Sequence, residues 1–268
     1  MSAVGAGQRL RTLPWWLRLF LLVNVVQDFG IAATGLLFPG HIAIPLASLT
    51  PLNARFIASL YLGGGVVILL AAFAISSVDA RIALISFLAI TVLVLAMTLV
   101  YWRQFTVDGV PKLWMITYIA DPVLAPLILA GLGLWRPAEP GRHRLTPLLL
   151  GQAVVFGVVG IALLLSMQAF LSAWPWKVTT LLSRVYAAFF LAFALGAVLS
   201  AFERRVAAIR PFVAGSLVLL LSTLVTSLIH LSRFHSGGGR SVWFVVHAVG
   251  IALFAYAVGT ARSPRAAT

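Results

Sequence analysis

Apolar residues dominate this chain in runs of about 20, the length a helix needs to cross the hydrocarbon core of a bilayer. Eight such runs can be marked, at 15–37, 52–75, 82–102, 113–134, 146–168, 181–202, 211–231 and 241–261. Turn-forming residues punctuate them: Pro39-Gly40 with Pro45 and Pro51, Asp108-Gly109 with Pro111, Pro137 to Gly141, Trp174-Pro175, and Gly237-Gly238-Gly239. Lipid offers no partner to an open strand edge, so the runs are read as helices. The pattern predicts an all-α, polytopic membrane protein with eight transmembrane helices. Arg9, Arg11 and Arg18 precede the first run as they would in a signal peptide. Asn24, Gln27 and Asp28 interrupt that run, and the repeat described next requires it, so it is kept as a membrane helix.

At a shift of 129 residues the chain matches itself without a gap: Arg55 falls on Arg184, Phe73 on Phe202, Arg81 on Arg210 and Trp114 on Trp243. Leucine and alanine matches carry little weight in so apolar a chain, whereas arginine and tryptophan are uncommon here. Two copies of one four-helix unit are therefore expected, 1–135 and 146–268, joined by a basic cytoplasmic linker at 136–145. Four spans return a chain to its starting side. Both copies then insert in the same sense, as a parallel repeat about an axis along the membrane normal.

Composition sharpens this picture. The 268 residues are 62% hydrophobic and 9% charged, with a mean hydropathy of +1.06; a soluble domain carries about 25% charged residues. The net charge of +13 sits in short loops between apolar runs. It reads as a topology signal and a set of lipid-headgroup contacts, not as a nucleic-acid surface. The side holding both termini carries twelve Lys and Arg, and the other side seven. The positive-inside rule then predicts a protein of the cytoplasmic membrane with both termini cytoplasmic. Trp15, Trp16, Trp102, Trp114, Trp174, Trp176 and Trp243 fall near span ends, where an interfacial belt is expected. With no cysteine, thiol catalysis and disulfides are excluded. Gly63-Gly64-Gly65, Ala192 with Gly196, and Gly151, Gly157 and Gly160 mark close helix contacts.

Ionisable groups inside the spans are the functional candidates, because they are expensive to bury in lipid. At 1.5 Å per residue, Asp28 and Asp121 lie roughly 12–13 Å below the outer boundary, and His247 and its repeat partner Tyr118 roughly 9 Å. Arg55 and Arg184 lie roughly 5 Å deep, at the level of Tyr101 and His230. These groups crowd into the outer half, which predicts a polar pocket open to the outer face, with Arg55 pairing with Asp28 and Arg184 with Asp121. Asp121-Pro122 and Pro126 should kink the fourth span. The plainer alternative makes Arg55 and Arg184 structural staples that neutralise buried acids. No metal cluster is expected. No cofactor is predicted, with a bis-histidine haem on His230 and His247, or a bound quinone, as the exceptions to test. Glu203-Arg204-Arg205 reads as a solvated helix end.

Residues Asn53 to Gly65 open the second span with an arginine and run into a small-residue helix. This segment resembles the pattern of small bacterial four-helix membrane families of the DoxX type, here as a tandem fusion. The resemblance implies a four-helix unit, a shared role for Arg55 and Arg184, and an association with quinone or thiol redox chemistry, of which the thiol part has no cysteine to carry it. Three functions compete. The first is a binding or transport protein for a small amphipathic or anionic ligand. The second is a non-catalytic accessory subunit that packs against membrane-protein partners or its own copies. The third is a membrane enzyme or redox subunit acting on a quinone or lipid. Membrane lipids are the only partners common to all three.

Overall fold

The structure, a computed structural model, describes residues 12–42, 44, 49–102, 112–137 and 139–261. Arg9, Arg11, Pro45, Arg103, Asp108, Gly109, Pro111, Arg262 and Arg265 lie outside those residues, and of Lys112 and Trp114 only the backbone is described. The helices are α1 (Trp15–Leu37), α2 (Pro51–Ala72), α3 (Arg81–Val100), α4 (Lys112–Gly131), α5 (Thr146–Leu164), the short α6 (Gln168–Ala173), α7 (Thr180–Ala201), α8 (Val206–Ile229) and α9 (Gly238–Ala261). The described residues contain no strand, only isolated bridges at Thr12–Ser76 and Pro140–Glu203. Seven helices, α1–α3, α5 and α7–α9, are long and apolar enough to cross a membrane. The described apolar stretch of α4 is the shorter Ile116–Gly131.

The helix starts follow from local chemistry. Thr50 caps α2 by accepting from the Asn53 N–H at 3.3 Å, with Pro51 behind it in the first turn. Thr179 caps α7 in the same way through the Leu182 N–H, also at 3.3 Å. The fifth apolar run does not continue as one helix to residue 168. It ends where Ser166 takes a positive φ of 50°, and the chain turns into α6.

Helices α2 and α7 form the centre, with 67% and 78% of their apolar windows buried, against 17% for α9. Around them, α1 packs on α2 as α5 packs on α7, α8 on α2 as α3 on α7, and α4 on α3 as α9 on α8. Helices α3 and α8 thus lie chiefly against the central helix of the other half. The bounds of α2 and α7 differ by the same offset at both ends, the offset that superposes Arg55 on Arg184. Close approach at the α2–α8 crossing depends on glycine: a Cβ on Gly63 would stand 2.6 Å from Leu219 Cβ, and one on Gly215 2.2 Å from Val67 Cγ2.

Hydrogen bonds fix the two ends of the bundle. At one end the Leu13 N–H reaches Ile75 O, Arg81 reaches the carbonyls of Leu134 and Trp135, and Arg144 reaches that of Thr260. Residues 13 and 260 therefore share this end. Glu203 lies here too, and it corrects the reading of a solvated helix end. It is fully buried, and its Oε1 accepts from the backbone N–H of Glu139 at 3.0 Å and of Arg205 at 3.2 Å. Residues 139–146 fold back over the end of α7, with Gly141 N–H on Phe202 O and the Thr146 hydroxyl on Ala201 O. Arg205 forms an ion pair with buried Asp79, which Ser76 also binds at 2.7 Å.

At the opposite end, Trp15-type exposure would suit an interfacial belt, yet Trp174 and Trp176 are only 4% and 2% exposed. The loop after α6 folds inward and packs both indoles against Phe56. Trp176 and Tyr186 each donate to Asn53 Oδ1 at 2.9 Å. Trp15, Trp16 and Trp102 are exposed near helix ends, as a belt requires.

Candidate functional site

The sequence-selected polar residues separate into three places. Asp28, Asp121 and Tyr118 line one small chamber walled by α1, α2, α3 and α4, with α7 and α8 behind. His247 lines a second, larger cavity between α5, α8 and α9. Arg55 and Arg184 line neither cavity.

The arginines bind helix ends. Arg55 Nε donates to Leu36 O at 3.0 Å, and Arg184 Nε to Leu164 O at 3.1 Å. Each guanidinium thus sits on carbonyls of the last turn of α1 or α5, where the helix dipole favours a cation. Arg55 Nη1 also meets His230 Nε2 at 2.8 Å, and Arg184 lies 5.2 Å from the centroid of the Tyr101 ring. Tyr101 and His230 are themselves 129 residues apart, so the two arginines make matching contacts at the same sequence offset. Among the described residues neither Asp28 nor Asp121 forms an ion pair, so the expected Arg55–Asp28 and Arg184–Asp121 pairs do not form. Depth along a helix fixes the level of a side chain but not its direction around the axis, and the arginines point toward helix ends.

The chamber is about 40 Å³. Asn24, Gln27 and Asp28 enter it from one face of α1, as their spacing implies. Tyr61 from α2 meets Tyr118 from α4 with hydroxyl oxygens 2.6 Å apart. Asn24 and Asp121 both line it, from α1 and α4, and the Thr117 hydroxyl donates to Gln27 Oε1 at 2.7 Å. The Thr117–Gln27 bond joins α4 to α1 across a gap with little other backbone packing. Pro122 and Pro126 lie inside α4 and remove two N–H donors from its ladder just beyond Asp121. Ser86 and Thr91 of α3, which the sequence reading did not select, complete the wall, and the Ser86 hydroxyl is buried with no partner.

The second cavity is about 440 Å³ and almost wholly apolar, walled by Phe56, Phe156, Phe170, Trp174, Phe190 and Trp243 among others. His247 Nδ1 lies 2.8 Å from the Trp243 carbonyl, which can only accept, so this nitrogen carries a proton. Its Nε2 lies 2.9 Å from the Thr223 hydroxyl. Both ring nitrogens are therefore engaged within the bundle, which argues against His230 and His247 as a haem pair. The described residues hold no group of three His, Cys, Asp or Glu suited to a metal. The Trp174 indole N–H, by contrast, is buried without a partner just behind the cavity wall. Helices α5 and α9 scarcely touch, and Val155, Val242 and Val246 at the cavity mouth are exposed, so the cavity opens sideways between these two helices.

The two spaces share part of their linings under the 129-residue shift. Under the 129-residue shift Gln27, Tyr61, Ile90, Thr91 and Tyr118 of the chamber fall on Phe156, Phe190, Leu219, Leu220 and His247 of the cavity. The Gln27–Thr117 bridge falls on Phe156 and Val246, and Asp28 and Asp121 fall on Gly157 and Gly250. Phe156 and Val246 make no such bridge, and the α5–α9 gap is open. No protein-family model matches the chain, and no curated protein or solved structure matches it.

Proposed function

We propose that the protein is a multi-pass protein of the cytoplasmic membrane that binds one small amphipathic molecule in the cavity between α5 and α9. In this reading α4 is an eighth crossing. The chain is two parallel copies of a four-helix unit, with both termini cytoplasmic. The basic residue balance, the shared offset of α2 and α7 and the matching neighbour relations support it.

One observation carries the ligand class: an apolar, aromatic-walled cavity of about 440 Å³ includes Trp174 in its wall, and among the described residues the indole N–H of Trp174 is buried just behind that wall without a partner. Ligand sites are typically 300–1,000 Å³, mostly apolar, with few orienting polar groups. A buried donor without a partner is costly and gains from an acceptor. The matching molecule has a hydrocarbon body and a carbonyl, ester or quinone oxygen. The sideways opening suits entry from the lipid phase. An anionic ligand is disfavoured, because neither Arg55 nor Arg184 lines the cavity.

The test is quenching of tryptophan fluorescence in the detergent-solubilised protein by decylubiquinone, with displacement by hexadecane as the acceptor-free comparison. Decylubiquinone should bind saturably and roughly three- to tenfold more tightly than hexadecane, the value of one neutral hydrogen bond. Trp174→Phe keeps the ring and should erase that preference. Val155→Trp, which fills the mouth, should abolish binding of both. Unsaturable quenching, or binding indifferent to both substitutions, would refute the reading.

A further inference from the structure

A cleft of about 360 Å³ lies between the end of α2, the first turns of α8 and the last turn of α9. Ile75, whose carbonyl accepts from the Leu13 N–H, places it at the end of the bundle that holds Glu203 and Arg205. Most of its wall is hydrocarbon, including Leu70, Phe73, Ala207 and Val258. Phe73 and Ile75 on its rim are 66% and 83% exposed. Two charged side chains line it. Asp79 is buried and already paired with Arg205. Arg210 is exposed and makes no hydrogen bond or ion pair among the described residues.

The repeat sets Arg210 apart. Its counterpart at the 129-residue offset, Arg81, is 3% exposed and donates to the carbonyls of Leu134 and Trp135. One arginine is thus held by the protein's own chain, while the other lines an apolar cleft unpaired. A guanidinium offers only donors, in a planar fork that matches phosphate oxygens. A free phosphate would leave the apolar wall facing water, whereas a phospholipid satisfies the charge and covers the hydrocarbon. Basic pockets between membrane helices on the cytoplasmic side suit anionic headgroups for this reason. The chain's own residues 262–268 are a poorer complement, because they carry Arg262 and Arg265 and no acidic side chain.

We propose that this cleft binds one anionic phospholipid of the cytoplasmic leaflet, with its phosphate on Arg210 and an acyl chain along Leu70, Phe73 and Val258. The choice of leaflet rests on the proposed orientation with both termini cytoplasmic. The site itself is independent of the α5–α9 cavity, and binding in detergent is blind to orientation, so a failure there strikes this cleft alone.

The experiment is native mass spectrometry of the delipidated full chain in detergent, titrated with dioleoylphosphatidylglycerol and, separately, with dioleoylphosphatidylcholine. One phosphatidylglycerol should bind per chain, in preference to phosphatidylcholine. Arg210→Gln should weaken it roughly fivefold, the worth of one interfacial arginine. Arg18→Gln removes an exposed charge from the same end and should leave binding unchanged. Ala207→Trp keeps every charge and fills the cleft from an exposed position, so it should weaken binding at least as much as Arg210→Gln. Val155→Trp, which fills the mouth of the α5–α9 cavity, should not weaken it, and glycerol phosphate in excess should not displace the lipid. The proposal is overturned if Arg210→Gln binds like wild type or no more weakly than Arg18→Gln, or if Ala207→Trp binds normally. It is overturned equally if glycerol phosphate displaces the lipid, which would mark a site for a free anion, or if phosphatidylglycerol binds only after deletion of residues 262–268, which would make that segment the occupant.

Discussion

An arginine side chain can only donate hydrogen bonds, so the nitrogen of His230 that Arg55 meets at 2.8 Å must be the unprotonated one. Burial first, and then the positive charges of Arg55 and Arg233, hold the His230 imidazole below its ordinary range. The sign follows from linkage. A histidine whose folded-state pKa is depressed contributes stability above its unfolded value of about 6.5, and that contribution is lost as pH falls toward the folded value. Wild-type protein in detergent should lose thermal stability between about pH 7.5 and pH 5.5. His230→Tyr, which installs the residue found at the matching Tyr101, should lose less over the same interval. Parallel pH profiles for the two proteins would rule the contact out as a stabilising one. The residues of this cluster were legible because Arg55 and Arg184 stand inside apolar runs and recur at the 129-residue offset. Their partners were not. Helical rise gives the level of Arg55 and Asp28, but only the packed neighbours decide that the guanidinium points to the Leu36 carbonyl instead.

Three consecutive glycines on α2 divide their work among neighbouring elements. Gly63 lets α8 approach, Gly65 lies against Asp28 and Phe29 of α1, and a Cβ on Gly64 would meet nothing within 4 Å. On α8, a Cβ at Gly215 would stand 2.2 Å from Val67 Cγ2 and 2.7 Å from the Gly63 carbonyl oxygen. The carbonyl cannot move aside without moving α2. Gly215→Ala should therefore destabilise by about 1–3 kcal/mol, whereas Gly64→Ala should stay within about 0.5 kcal/mol of wild type. Unfolding temperatures in one detergent measure both, and equal effects would discount the α2–α8 crossing. Small-residue patterning made these helix contacts legible in the sequence. Which helices are central was not, because lipid and protein interior are equally apolar and select the same residues. That is why α7 and α9, at 78% and 17% burial, read alike. Glu203, Trp174 and Trp176 were misread for a related reason. Each sits just beyond a helix, and its burial depends on a connecting segment folding back, which no helical period records.

At the scale of the whole molecule, the same shift that superposes Arg55 on Arg184 carries five lining positions of the polar chamber onto lining positions of the apolar cavity. Among the shared positions, the polar bridge of one space faces apolar side chains in the other. Gln27 and Thr117 tie α1 to α4 at 2.7 Å, while Phe156 and Val246 occupy the matching places on α5 and α9 and leave the gap open. If the halves are equivalent, the tie can be transplanted. Phe156→Gln alone should destabilise, since it removes buried aromatic packing against Phe190 and Phe193. Val246→Thr alone, at an exposed position, should be near neutral. Combined, the two new side chains face each other across the gap, and a double-mutant cycle should return a favourable coupling of about 0.6 kcal/mol, the average for hydrogen bonds between membrane helices. The same double variant should bind decylubiquinone more weakly than the product of its single substitutions implies, because the bridge closes the entrance. A coupling of zero would mean that the α1–α4 and α5–α9 gaps are not counterparts. The correspondence between chamber and cavity, and with it the case for a shared ancestry of the two halves, would fall.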